Sequence, residues 1–189
     1  MRIILLGAPG SGKGTQGRAL ADRFGVRHVS TGDLLRAHIA EGTELGREVA
    51  PYVERGELVP DDLMLQVAGV AATEAAREGG YILDGFPRTL AQAERAYELA
   101  GPDVQADAVV YLAVPDDIVR ERLAARAAAG RIDDSDPNVI ERRLQVFHDQ
   151  TGPLLDFYRS RGILVPVDAS RPPDEVTAAM LEAVKQLDA

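Results

Sequence analysis

Apolar residues along the chain fall into short runs separated by stretches of helical spacing. The runs are Ile3–Leu6, Val26–Val29, Tyr81–Leu83, Ala108–Val114 and Ile163–Val167. Each has the length of a strand, and the connections between them are long enough for crossover helices. The alternation therefore predicts an α/β fold built on a parallel sheet. Several helix boundaries are legible. Pro115 followed by Asp116 and Asp117 opens a helix at its positive end, Gly25 closes the helix that begins at a glycine-rich loop, and Pro172-Pro173-Asp174 starts the last helix. Residues 30–59 read as short helices punctuated by Gly32, Gly42, Gly46 and Gly56, with no strand of their own, and are expected to form an insertion. The stretch 127–137, AAAGRIDDSDP, combines small residues, a glycine, acids and a proline as an exposed loop does.

Composition narrows the class. A chain of 189 residues fits one ordinary domain with small insertions and buries roughly 70% of its unfolded surface. Its 46% apolar and 27% charged content is that of a soluble globular protein. No apolar run approaches the ~20 residues that cross a bilayer. The N-terminal run is shorter than a secretory core and leads into glycines and Lys13, so it reads as a strand and the cytoplasm is the expected compartment. The absence of cysteine excludes disulfides and thiolate zinc sites. His28, His38 and His148 lack metal-ligand spacing and are expected to be packed or partly exposed. With 21 basic against 30 acidic residues, net −9, the average field repels a nucleic-acid polymer, while small anions can still bind where arginines cluster.

The chemistry begins at GAPGSGKGT, residues 7–15, directly after the first strand. Gly7-x-x-x-x-Gly12-Lys13 between a strand and a helix is the P-loop context. Without β-carbons the backbone turns through positive φ and converges its N–H groups on one point, to which the next helix adds its dipole. Lys13 supplies a mobile charge for the outer phosphates, and a nearby hydroxyl serves magnesium. The general motif has Ser or Thr directly after lysine. Here Gly14 intervenes before Thr15, which marks a subclass distinct from a generic ATPase or GTPase.

Transfer of a phosphoryl group also needs positioned cations. Arg122 and Arg126 stand four apart on one helix face without an acidic neighbour three or four residues away. Arg143 has Val139, Ile140, Val146 and Phe147 as helical neighbours and so lies within an apolar stripe. Arg131 sits in the exposed loop beside Asp133 and Asp134. LDGFPRT, residues 83–89, ends the third strand with Asp84 and releases the chain through Gly85 and Pro87 to present Arg88. Ligands of open parallel sheets bind at the carboxyl ends of strands, which places Asp84 to meet magnesium or its waters and Arg88 to meet phosphate.

These motifs together resemble adenylate kinases, the nucleoside monophosphate kinases that interconvert ATP plus AMP with two ADP. The similarity runs from Met1 to near the C-terminus through GAPGSGKGT, STGDLLR at 30–36, GELVPD at 56–61, DGFPRTLAQ at 84–92, GRIDD at 130–134 and RLQVFHDQTGPLLDFY at 143–158. The resemblance implies a P-loop kinase core with a five-stranded parallel sheet flanked by helices (1–29, 60–126 and 138–189), an AMP-binding insertion at 30–59 and a short lid at 127–137. It implies that Gly10, Ser11, Gly12, Lys13, Gly14 and Thr15 hold the phosphates of Mg-ATP. AMP would be held by Thr31, Arg36, the backbone of Glu57, Leu58 and Val59, the segment Gly85, Phe86, Pro87 and Arg88, and Gln92. Arg122, Arg126, Arg131 and Arg143 match arginines that surround the transferring phosphoryl group or stack on the donor adenine, with Arg131 and Arg143 also reaching AMP. Arg171 matches a position beside that adenine, through its side chain or only its backbone. Lys13, Asp84, Arg88, Arg126, Arg131 and Arg143 form the implied catalytic set, and Thr15 and Asp84 are the candidates for Mg²⁺.

Two departures from the family pattern stand out. The long lid of many bacterial members is replaced by residues 127–137, the short-lid form. The stretch between the GR-x-DD arginine and the following Arg-Leu pair is one residue longer than the usual short-lid spacing. Leu144, Phe147, Thr151 and Pro153 continue the family pattern from Arg143, and Arg142 is the alternative. A UMP/CMP kinase of the same architecture is the nearest rival, against which Thr31 and Gln92 suit an adenine edge. A P-loop switch without phosphotransfer is the rival from another class, but the Asn-Lys-x-Asp that reads guanine is absent. The partners expected are ATP, AMP and ADP, with no nucleic-acid polymer and no membrane, and the chain is expected to work as a monomer.

Overall fold

A computed structural model of the chain describes residues 1–130 and 136–186. The five expected strands are present as β1 (Arg2–Gly7), β2 (Arg27–Ser30), β3 (Tyr81–Asp84), β4 (Ala108–Ala113) and β5 (Leu164–Asp168). They form one sheet in the order β2-β3-β1-β4-β5, and every neighbouring pair is parallel. The helices among the described residues are α1 (Lys13–Phe24), α2 (Thr31–Glu41), α3 (Glu44–Glu54), α4 (Asp61–Arg77), α5 (Leu90–Leu99), α6 (Asp116–Ala128), α7 (Pro137–Arg159) and α8 (Pro173–Lys185). None of them is long and apolar enough to cross a membrane.

Because side chains alternate across a strand, an all-apolar strand must be covered on both faces. Ile3 and Leu5 of β1 pack with Ile82, Val110 and Leu112 against Leu20 of α1 and Val176, Met180 and Val184 of α8. Ile4 and Leu6 point the other way, into a second core with Met64, Ala68, Ala72, Ala93, Leu154 and Tyr158 from α4, α5 and α7. A third cluster, Ala8, Val119, Leu123, Ile140 and Leu144, binds α6 and α7 to the start of the glycine loop. β1 is the central strand, and the loop that follows it hangs from the middle of the sheet.

The expected helix ends are found: Gly25 closes α1 at φ 65°, and α6 and α8 begin directly after Pro115 and Pro172. Residues 30–59 hold the hairpin of α2 and α3, and here the punctuation needs correction. Gly42 and Gly56 do end helices, at φ 64° and 68°, but Gly32 and Gly46 lie inside them. Gly46 is there for clearance, since a β-carbon on it would stand 2.0 Å from the carbonyl oxygen of His38. Gly80, just before β3, is confined in the same way by the carbonyl of Met1, 2.1 Å from where its β-carbon would be. The expected loop is shorter than its sequence suggests, because α6 continues through Ala128 and α7 starts at Pro137. Arg131 and its acidic neighbours lie outside the described residues.

The histidines are packed or paired. His28 rests its ring on Gly17, His38 Nδ1 is 3.0 Å from the Thr43 hydroxyl, and His148 Nε2 is 2.9 Å from Asp116. Among the described residues no group of three or more histidine, cysteine or carboxylate side chains is arranged to hold a metal ion.

Candidate functional site

The carboxyl ends of β1 and β3 open into a cleft of about 750 Å³. On one wall the chain leaves β1 through the glycine loop and enters α1 at Gly12, which takes φ 101° as the helix cap. The first turn of α1 has neither a capping side chain nor an acidic residue, so its N–H groups and dipole are presented to the cleft. Gly10 makes the loop compact: it sits at φ 79°, and a β-carbon would press on Leu123 at 2.9 Å. Ser11 is buried within the loop, its N–H donating to Ala8 O at 3.1 Å.

Lys13 folds back over this loop, and Nζ donates to the carbonyl oxygens of Gly7 at 2.8 Å and Ala8 at 2.9 Å. Burial lowers its pKa to about 8. Asp84 opposes that shift, while Arg88, Arg143 and Arg126 reinforce it. Asp84, at the end of β3, is 8% exposed and lines the cleft. Arg88 follows at the mouth of the turn, its Nε donating to Gly85 O at 2.8 Å, and its guanidinium is held below the ordinary arginine value by desolvation and by Arg143. Eight cationic side chains and two carboxylates line the described cleft, so the local field is opposite in sign to the net charge of the chain.

Arg122 and Arg126 reach the cleft from α6, as their shared helix face requires. Arg122 is spoken for: its guanidinium donates to Ala169 O at 3.0 Å and Ser170 O at 3.2 Å, tying the turn after β5 to α6. Arg171, in that same turn, is exposed at the cleft edge with Nε 3.3 Å from Asp168. Of the two candidates on α7, Arg143 lines the cleft and packs against Gly56, whereas Arg142 is exposed and lines none of the pockets described here.

A smaller recess of about 60 Å³ opens beside the cleft, under the α2–α3 hairpin. Glu57, Leu58, Val59 and Gln92 line it, and Arg36, Arg88 and Arg143 line both it and the cleft, so these three arginines mark the junction. Gln92 is 1% exposed, with both ends of its amide hydrogen-bonded. Arg36 donates to Asp33 on its own helix. Gly85 and Pro87 line an adjoining pocket with Lys13 and Arg143.

Two implied contacts lie elsewhere. Thr31 is fully buried, and its hydroxyl donates to Asp84 O at 3.1 Å, which braces the end of β3 and lines none of the described pockets. Phe86 belongs to the core beneath the sheet. Leu35, Val53 and Met64, which wall the recess, carried no signal in the sequence, because apolar residues at helical spacing read as core.

A parallel sheet whose central strand runs into a glycine loop, with an exposed helix N-terminus and a lysine folded back over that loop, defines a P-loop nucleotide-binding protein. The chain belongs to the adenylate kinase family: the family model described as "Adenylate kinase" matches residues 5–163. It is similar to "Adenylate kinase" of Stenotrophomonas maltophilia (strain R551-3), 46% identical over 187 residues that cover 98% of this chain and 100% of that protein. It is also similar to "Adenylate kinase" of Thermobifida fusca (strain YX), 44% identical over 186 residues, 98% of each chain. "Adenylate kinase" of Streptomyces coelicolor is 38% identical over 215 aligned residues, 98% of this chain and 99% of that protein.

Proposed function

We propose that the chain catalyses reversible transfer of the terminal phosphoryl group of Mg-ATP to AMP, giving two ADP, and so balances the adenine nucleotides. The observation that carries the reading is the junction: Arg88 and Arg143 line both the P-loop cleft and the recess, so a donor and an acceptor placed end to end would meet between them, close to Lys13. The donor phosphates lie on the amides of Gly10 to Thr15, and Arg122, Arg126 and Arg171 flank the donor. The acceptor lies in the recess with Arg36, the backbone of Glu57 to Val59, and Gln92. Residues 30–59 form the AMP-binding segment, and residues 127–137, which carry Arg131, close over the donor.

The acceptor phosphate is already ionised, so no strong general base is required. The chain's contribution is alignment of the two phosphates and neutralisation of the charge that spreads over the transferring oxygens. Lys13, Arg88, Arg126, Arg131 and Arg143 supply that neutralisation. Excluding water keeps the phosphoryl group from hydrolysis, which is the use of a closing segment. Asp84 and the exposed Thr15 hydroxyl offer the hard oxygen donors that Mg²⁺ takes in company with phosphate and water. When bound, the ion supplies charge neutralisation at the transferring phosphates. The chain is proposed to act as a monomer in the cytoplasm.

ADP formation from ATP, measured with and without AMP and then with UMP, CMP and GMP, tests the reading. The expected result is AMP-dependent ADP formation with AMP as the preferred acceptor. Preference for UMP or CMP would assign the pyrimidine kinase instead, and ATP binding without acceptor-dependent turnover would assign a switch. Arg88→Ala is expected to lower turnover at least ~100-fold in a folded variant, the usual loss for a donor to the transition state.

A further inference from the structure

We propose that Asp61 is a positioning residue that fixes the polarity of the Gln92 amide and thereby makes the recess select a 6-amino purine over a 6-oxo purine. The inference rests on the AMP reading above.

A glutamine amide is nearly symmetric in shape, and a free one offers its oxygen or its nitrogen to a ligand by a half turn of the last bond. Gln92 has no such freedom. It lies in the first turn of α5, where its own N–H is held by the Thr89 hydroxyl at 3.1 Å, and its side chain bends back toward the start of the helix. There Oε1 accepts from the backbone N–H of Arg88 at 2.8 Å, and Nε2 donates to Asp61 Oδ1 at 2.7 Å. The two partners have opposite and unalterable polarity. A backbone N–H only donates and a carboxylate only accepts, so turning the amide over would set N–H against N–H and oxygen against oxygen.

Asp61 is well placed for this. It is the first residue of α4, 31 positions from Gln92 in sequence, and it is half-buried. Helix capping accounts for part of the arrangement, since Thr89-x-x-Gln92 has the form of a capping box and acids favour the start of a helix. Capping does not account for the link to Asp61, which joins two different helices across the edge of the recess and ends on the nitrogen that a capping box leaves unused.

With those bonds made, the amide retains one carbonyl lone pair and one N–H, in a fixed order. That order matches an exocyclic amino group facing Oε1 and a ring nitrogen acceptor facing Nε2, the arrangement on adenine. A 6-oxo purine sets a carbonyl oxygen against Oε1 and is repelled. Asp61→Asn removes one of the two locks with little change of volume, because an asparagine amide serves as acceptor or donor and leaves only the Arg88 N–H to oppose a turned Gln92.

The test measures acceptor kinetics with AMP and with IMP, ATP being the donor, for wild type, Asp61→Asn and Asp61→Glu. Asp61→Asn is expected to raise the KM for AMP about 10-fold and to lower the AMP-to-IMP ratio of kcat/KM at least ~10-fold, while kcat at saturating AMP and the KM for ATP stay within about 2-fold. Asp61→Glu, which keeps the carboxylate, is expected to recover much of the ratio. An unchanged ratio in folded Asp61→Asn overturns the proposal. So does a fall in thermal stability and in kcat with the ratio intact, the signature of a residue that only caps α4. If wild type itself fails to phosphorylate AMP, the function proposed above is what has failed, and that outcome is distinct from a wild type that prefers AMP and an Asp61→Asn that does so equally.

Discussion

Lys13 carries an electrostatic cost in the nucleotide-free protein. Burial brings its pKa from the ordinary 10.5 to about 8, with Asp84 only partly offsetting the effect. Between those two values the unfolded chain holds more protons than the folded one, so this residue's contribution to stability rises as pH climbs from about 8 toward 10.5. Melting temperatures of wild type and Lys13→Met, compared without nucleotide from pH 7 to 9.5, are therefore expected to shift in favour of wild type by about 5 °C as pH rises. A difference that stays flat over that range would mean that Lys13 keeps an ordinary pKa. The placement of single residues was legible in the sequence where backbone chemistry dictates it, as in the glycine loop and Arg88, which line the cleft. It was not legible where a side chain had a choice of direction. A hydroxyl at position 31 suits a base edge equally well before one sees it turned onto Asp84 O. Arg142 and Arg143 differ by one helical step of about 100°, and it is the burial of Ile140 and Leu144 that fixes which of them faces the cleft.

At the scale of elements, the sheet was readable because five apolar runs of strand length alternate with helical spacing, and the caps at Gly25, Pro115 and Pro172 punctuate locally. The short helices of 30–59 were foreseen and are present as α2 and α3, but the way the two meet was not, since their contact depends on an atom left out. Gly46 gives the His38 carbonyl room to approach, and the Thr43 hydroxyl caps α3 by accepting from Gly46 N at 3.0 Å. Gly46→Ala forces a β-carbon onto a backbone oxygen that has no flexible end to move away, and overpacking of this kind costs about 1–3 kcal/mol. The expected outcome is a hairpin splayed at its turn, with the KM for AMP raised and the KM for ATP little changed. Parallel measurement of the two constants, with chemical denaturation to register the stability loss, checks it, and equal rises in both would place the damage in the core instead. The walls of the recess, Leu35, Val53 and Met64, belong to this same scale, because only the packing of helices decides that an apolar position faces a crevice.

Across the whole molecule the cleft and the recess share Arg36, Arg88 and Arg143, and the proposed reaction requires both spaces to be filled together. One dinucleotide polyphosphate long enough to bridge them is expected to bind with a stoichiometry of one and to exclude ATP and AMP alike. At a thousand times its Kd it stabilises the fold by about 4 kcal/mol, a rise in Tm of about 10 °C for a chain of this size. Calorimetric titration decides the point, and a bridging ligand that leaves AMP binding untouched would separate the two spaces.

Gly80 stands at the far end of β3 from the cleft and lines none of its walls, yet the carbonyl of Met1 bars any larger residue there more firmly than Leu123 does at Gly10. Over evolutionary time both positions should resist drift. Invariance among descendants of a common ancestor would then report a lack of elbow room as readily as a hand in the chemistry, and only three-dimensional clearance tells the two causes apart.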